Sequence, residues 1–487
     1  MKRALILLFA LLPASLAWLS CGAPTSGSAP TNTIKYRAFI SNSVSAGTSA
    51  PGVYVVDAQN DVRGPGAPIS AGNNPGMMVV TPNKAQTLVF SGNGLQDSDN
   101  VFTLINNAAQ TTAAHMTLPG MTQSFVVSPD SSTAYVAVPT APVTGQSPGI
   151  VQVISLSSGA VSGTIYCPPG NPTPAVCVSA DPNLQGINPS YQYLAIGNTG
   201  ARVLAFSSGS GTNFDSIPNV VAVITPSSLA TANTLITFVP GFDHPVWAFF
   251  NSDDTTAYVV NCGPECGGIQ ASIQTLDLTT TPPTAGIAVP VPAATVAVVN
   301  NSTMYLAGTP MPAPACAGET TQATTCGVLT IFDLGSMSVI QPPVQPAYCA
   351  PGQQCPIIIT DGYHDRMALG SNGQLFIGAR TCTEIVAPIP APPGAEVRGC
   401  LSIYNTLGTG TVGSNPPGGV VIPPANGDVT GLQPIVTRRV VYVIQGGSLN
   451  IYDATIDALE YNPNDPNNPG EIFGLVGDFY DVVTVDF

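Results

Sequence analysis

Apolar residues run through this chain in short bursts broken by polar turns, and the same cycle recurs almost to its end. Each cycle opens with an apolar strand, a polar turn and a second apolar strand. It reads VVTPNKAQTLVFSG from Val79, VVSPDSSTAYVAV from Val126, AIGNTGARVLAFS from Ala195 and FFNSDDTTAYVVN from Phe249. It returns as VVNNSTMYLAG from Val298, ALGSNGQLFIGA from Ala368 and IVTRRVVYVIQ from Ile435. An alternating third strand follows, often closed by Asp or Asn, at Gly52, Ser272, Val328, Cys400 and Ser448, with looser copies at Asn100, Ile150 and Val220. A fourth strand, such as VSGTIY from Val161 or TLITFVPG from Thr234, completes the cycle. Period-2 alternation rich in Val, Ile and Tyr, punctuated by turn residues, predicts β-strands.

Four antiparallel strands repeated every 50 residues or so predict an all-β fold, a single β-propeller over residues 34–487. The repeats give eight four-stranded blades; seven is the alternative, because the unit from Gln192 to Val239 is irregular. The first unit starts at its second strand, Lys35 to Asn42, and the chain ends on an orphan strand, Val482 to Phe487. Pairing that orphan into the first blade closes the ring and removes an open sheet edge. These repeats resemble the YVTN-type propellers, bacterial surface and periplasmic proteins with lactonase-like members. The resemblance implies the fold and leaves the activity open.

Composition narrows the setting. Charged residues are only 8% of the chain, and 49 Gly and 48 Pro exclude long helices. The net charge is −15, so no basic footprint exists for nucleic acid. Lys2 and Arg3 precede the apolar stretch Ala4 to Leu12, and Trp18-Leu19-Ser20-Cys21-Gly22 follows. This reads as a secretory signal over residues 1–20. The cysteine after the cut resembles a bacterial lipobox, with Trp18 where that motif has Leu. The resemblance implies a lipid on Cys21, a flexible tether over residues 21–33 and a place in the cell envelope. Gly22 after the cysteine implies the outer membrane, on its periplasmic side or at the cell surface.

The other ten cysteines fall into close pairs: Cys167-Cys177, Cys262-Cys266, Cys316-Cys326, Cys349-Cys355 and Cys382-Cys400. An even count in an exported chain predicts disulfides. Zinc at Cys262 and Cys266 is the rival reading, but neither a His pair nor a second Cys motif stands at zinc spacing, so no metal or cofactor is expected. In a four-stranded meander, the loops between strands two and three share a face with the connections between blades. All five pairs belong to that face, as do the long loops 308–327, 344–365 and 379–399. The tether enters at the opposite face, so the cysteine-bearing face is expected to point away from the membrane.

Candidate chemistry gathers near first strands. His244 in Gly241-Phe-Asp-His-Pro245 and His364 in Asp361-Gly-Tyr-His-Asp-Arg366 occupy blade connections just before first strands, which line the channel. With Asp243, Asp361, Asp365 and Arg366 they could supply a general base and an oxyanion holder. The competing reading is capped loops and salt links around an inert channel. Arg366, Arg380 and Arg398, with Tyr363, are candidate contacts for a carboxylate or acidic sugar. Internal pairing with nearby acidic residues competes with it. His115 reads as a satisfied structural histidine on a fourth strand, and Asn462 to Glu471 as a solvated loop lacking calcium-loop spacing. The sequence therefore favours a non-enzymatic, lipid-anchored propeller presenting a disulfide-braced face to protein or glycan ligands. A lactonase-like or other hydrolase at the channel mouth is the alternative, and self-assembly is a third reading.

Overall fold

The computed structural model describes residues 34–43, 50–92, 99–145, 148–167, 177–179, 190–207, 219–226, 235–313, 325–342, 355–370, 373–383, 399–406, 418–423, 427–460, 470, 472 and 475–486. They form eight separate antiparallel sheets arranged as the blades of a ring. The innermost strands, from blade 1 to blade 8, are Asp478–Thr484, Pro75–Val80, Ser124–Val127, Tyr193–Ile196, Pro245–Phe250, Val296–Asn300, Tyr363–Leu369 and Val429–Ile435. Each touches the inner strands on either side, which closes the circle. The expected eight blades and the closure by the C-terminal strand are both present. The closing strand begins and ends earlier than the sequence suggests, because Asp478 and Phe479 already pair with Ser43 and Asn42.

The strength of the strand signal has a packing cause. Middle strands are buried on both faces, since each face meets a different neighbouring blade. In Val440–Gln445, Tyr442 and Ile444 pack toward blade 1 while Val441 and Val443 pack toward blade 7. In Val203–Ser207, Val203 and Ala205 face blade 3 while Leu204 and Phe206 face blade 5. Such strands read as unbroken apolar runs, whereas an outer strand such as Thr111–Thr117 alternates exposed and half-buried positions. His115 lies on that outer, fourth strand, at an exposed position.

Blade 4, the irregular unit, carries an extra strand. Cys177–Ser179 runs parallel to the outer strand Leu235–Pro240. In blade 6 the outer position is split: Ser338–Ile340 pairs with one half of Gly327–Asp333 and Ile357–Ile359 with the other.

Cys167–Cys177, Cys262–Cys266 and Cys382–Cys400 are disulfides. Cys326 and Cys355 are also disulfide-bonded; Cys316 and Cys349 lie outside the described residues. The bonded cysteines lie in loops between second and third strands or in connections between blades. Disulfides suit an oxidising, extracytoplasmic setting. Among the described residues no helix is long and apolar enough to cross a membrane.

Five inner strands share a local defect. One strand gains residues relative to its partner near Asp365, Thr430, Tyr480, Met77 and Val246, in each case close to the strand's first residues. A bulge of this kind re-aims a side chain that regular pleating would fix. Asp365, Thr430 and Tyr480 belong to three consecutive blades, 7, 8 and 1.

Candidate functional site

The two histidines stand on different blades, His244 just before the inner strand of blade 5 and His364 on that of blade 7. His364 is fully buried, and its Nε2 lies 3.0 Å from the Thr360 carbonyl. Burial lowers its pKa to about 4, so the ring is neutral. Its Nδ1 is buried without a hydrogen-bond partner among the described residues. Gly327 is what lets the ring pack there, since a Cβ at Gly327 would sit 2.8 Å from His364 Cε1.

His244 stands on another blade and pairs with Asp243, Nδ1 to Oδ1 at 2.9 Å. The other Asp243 oxygen accepts the N–H groups of Ile269 and Gln270 at 2.8 and 2.7 Å. Burial opposes the Asp243 charge, but the hydrogen bonds from His244, Gln270 and Ile269 outweigh it and hold the pKa low. Asp361 does similar work on blade 7, accepting from the Thr383 N–H, the Thr383 hydroxyl and the Thr325 hydroxyl. Both aspartates act as staples between loops.

The other predicted residues converge. Asp365 receives Arg380 at 2.8 Å and lies 3.6 Å from Arg366. Arg366 Nε donates to the Thr430 carbonyl at 2.6 Å, and Arg380 donates to the Tyr480 hydroxyl at 3.2 Å while its guanidinium lies 5.4 Å from that ring's centre. The three bulged residues are thus clasped by two arginines. Burial opposes the Arg380 charge, yet Asp365 and Tyr480 hold the guanidinium charged, its pKa above the usual range. The cluster has unmet hydrogen-bonding capacity: Asp365 Oδ1, Arg380 Nε and Thr430 Oγ1 are buried without partners among the described residues. Tyr363 reaches from blade 7 to Tyr193 of blade 4, hydroxyl to hydroxyl at 3.3 Å, and bridges the upper end of the channel. Burial raises the pKa of both phenols, so both stay neutral.

Two carboxyls beside this cluster escaped the sequence reading. Asp481 is buried, accepts the Met78 and Val482 N–H groups, and is raised to about 6 by burial despite Arg366 and Arg380. Glu265, in the Gly263–Cys266 turn of a disulfide loop, accepts the Thr309 N–H and is raised to about 7 by burial. Thr430, Tyr480 and Tyr193 were also missed. The available signal was the closing strand: once Asp478–Thr484 is an inner strand, its polar residues sit at the channel. Arg398 and Cys21 lie outside the described residues. Among those described, no group of three His, Cys, Asp or Glu side chains is placed to hold a metal ion.

No protein-family model and no curated protein sequence matches this chain. Solved structures do. Dihydro-heme d1 dehydrogenase NirN aligns with a TM-score of 0.51 at 10% identity, over 93% of this chain and 75% of its own. Hydrazine synthase of Kuenenia stuttgartiensis aligns at 0.49 and 13%, over 80% of this chain and 98% of its own. The periplasmic gluconolactonase PpgL of Pseudomonas aeruginosa aligns at 0.41 and 14%, over 92% of this chain and 98% of its own. At such identities the likeness concerns the propeller fold alone.

Proposed function

We propose that this chain is an extracytoplasmic binding propeller, held at the cell envelope by a lipid on Cys21, whose disulfide-braced face recognises an acidic glycan. The reading rests on one observation above the others. In a chain with 27 acidic and 12 basic side chains, Arg366 and Arg380 converge on Asp365 at the channel mouth, with the buried Asp481 also near both. About a quarter of each guanidinium side chain is exposed. A ligand carboxylate has charged donors there. The YVTN-type kinship and the outer-membrane address belong to the same reading.

The test is direct binding. Uronic-acid oligosaccharides should bind the parent protein, and Arg366→Ala should weaken them roughly tenfold or more, as loss of one charge-assisted hydrogen bond requires. Equal affinity in parent and variant, or a preference for neutral glycans at this site, would overturn the reading. Cys21→Ser should move the chain from the membrane fraction to the soluble one; a variant still sedimenting with membranes would remove the anchor.

One observation favours a hydrolase instead. His244 and Asp243 form a carboxylate-oriented imidazole, an arrangement that suits a general base. A lactone and ester panel decides it: turnover lost in His244→Ala supports hydrolysis, and no turnover in the parent removes it.

A further inference from the structure

The channel has a second chemistry at the other end, on the face of the turns between first and second strands. A cavity of about 720 Å³ opens there, walled by blades 3 to 6. Its lining includes no charged residue, in a chain that carries 27 acidic side chains. Four of its lining residues are aromatic: Trp247, Phe249, Phe250 and Tyr258. Trp247 stands on an inner strand beside the bulge at Val246 and remains 36% exposed. Its burial against protein is incomplete, although burying an indole favours folding.

The rim is polar and held in place. Asp254 of the blade 5 turn accepts the Asn198 and Thr199 N–H groups at 2.8 and 2.7 Å and the Thr199 hydroxyl at 2.6 Å. Asn198 Nδ2 donates to the Asn251 carbonyl at 2.8 Å. Two neighbouring turns are thereby locked before anything binds, which lowers the entropy cost of capture. The hydroxyls of Ser252 and Tyr258 and the Asn301 carbonyl oxygen have no hydrogen-bond partner among the described residues.

We propose that this cavity is a binding site for a neutral saccharide. A pyranose ring has an apolar face of C–H bonds that suits an exposed indole, and an edge of hydroxyls that suits Ser252, Tyr258 and Asn301. An anionic ligand would lose hydration, find no cation in the lining and meet the carboxylates of Asp253 and Asp254 in the adjoining turn. A wholly apolar ligand would leave the three polar groups unpaired. The size fits pockets that enclose small ligands, about 300–1,000 Å³.

The chain carries two tryptophans, Trp18 and Trp247. The full chain with Trp18→Phe therefore reports on this site alone by fluorescence. Maltotriose, cellotriose and N-acetylchitotriose would be titrated, with polygalacturonate as the acidic probe and Nile red as the apolar one. The expected result is a saturable change in Trp247 emission with at least one neutral trisaccharide. A second variant, Ser252→Ala with Asn301→Gly, should weaken it roughly tenfold, the worth of about one hydrogen bond, while its melting temperature matches the parent. Glycine suits position 301 because Asn301 has a φ of 57°. Arg366→Ala should leave this binding intact, which separates it from the channel-mouth reading. Emission that responds to none of the probes, or only to Nile red or polygalacturonate, overturns the proposal, as does a double variant that binds like the parent.

Discussion

The neutral ring of His364 has a pH signature. Its folded pKa, about 4, lies below the ordinary 6.5. As pH falls, the unfolded chain binds that proton first. The residue's contribution is therefore complete above pH 6.5 and is lost as pH falls toward 4, a step of roughly 3 kcal/mol. Glu265 and Asp481 act in the opposite sense. Their folded values, about 7 and about 6, lie above the ordinary 4.5 and 3.8, so what they contribute is lost as pH rises through that range. His364→Gln should accordingly flatten the acid side of a plot of unfolding midpoint against pH, and parallel curves for parent and variant would refute the burial account. Gly268 offers a second residue-level check. A Cβ there would sit 2.0 Å from Asp243 Oδ1 and 2.6 Å from His244 Nδ1. Gly268→Ala should break the Asp243 staple and lower the melting temperature. Residue type alone pointed to both histidines, yet sequence could not show that one ring is enclosed and the other turned onto its neighbour. Those orientations depend on glycines contributed by other loops.

At the scale of strands, the same bulge recurs on inner strands, and it decides which polar residues meet. Sequence alternation caught only the ends of Tyr363–Leu369 and Val429–Ile435, at Ala368 and Ile435, because a bulge near the strand start breaks a period-2 pattern. That is why Asp365 and Arg366 were legible as candidates while Thr430 and Tyr480 were not. The closing strand is held by more than its ladder. Arg37 donates through Nε to Asp486 Oδ2 at 2.7 Å and through Nη2 to Asp486 Oδ1 at 2.5 Å, and its backbone N–H also reaches that carboxylate. Asp486→Ala should cost about 2 kcal/mol, because a half-buried guanidinium loses its charged partner; chemical denaturation would measure it. Deleting residues 478–487 should do far more, exposing the edge of Arg37–Ser43 and producing aggregates on size-exclusion chromatography.

For the molecule as a whole, the ring was readable because each blade repeats one hydrophobic formula and the packing makes that formula strong. The departures came where blades carry inserted chain, as with the extra strand beside Leu235–Pro240. The disulfides brace the connections rather than the sheets. Cys382–Cys400 spans 18 residues, so a Cys382→Ser, Cys400→Ser variant should lose about 3 kcal/mol and keep its propeller circular-dichroism spectrum. Blade 1 has a further consequence. Ala38 lies opposite Thr484, so two stretches separated by seven whole blades of intervening chain meet as neighbours in one sheet. A chain emerging end-first from a ribosome or an export pore has no means of completing that sheet until its tail is free. The circle therefore stays open until the strand Asp478–Thr484 has emerged.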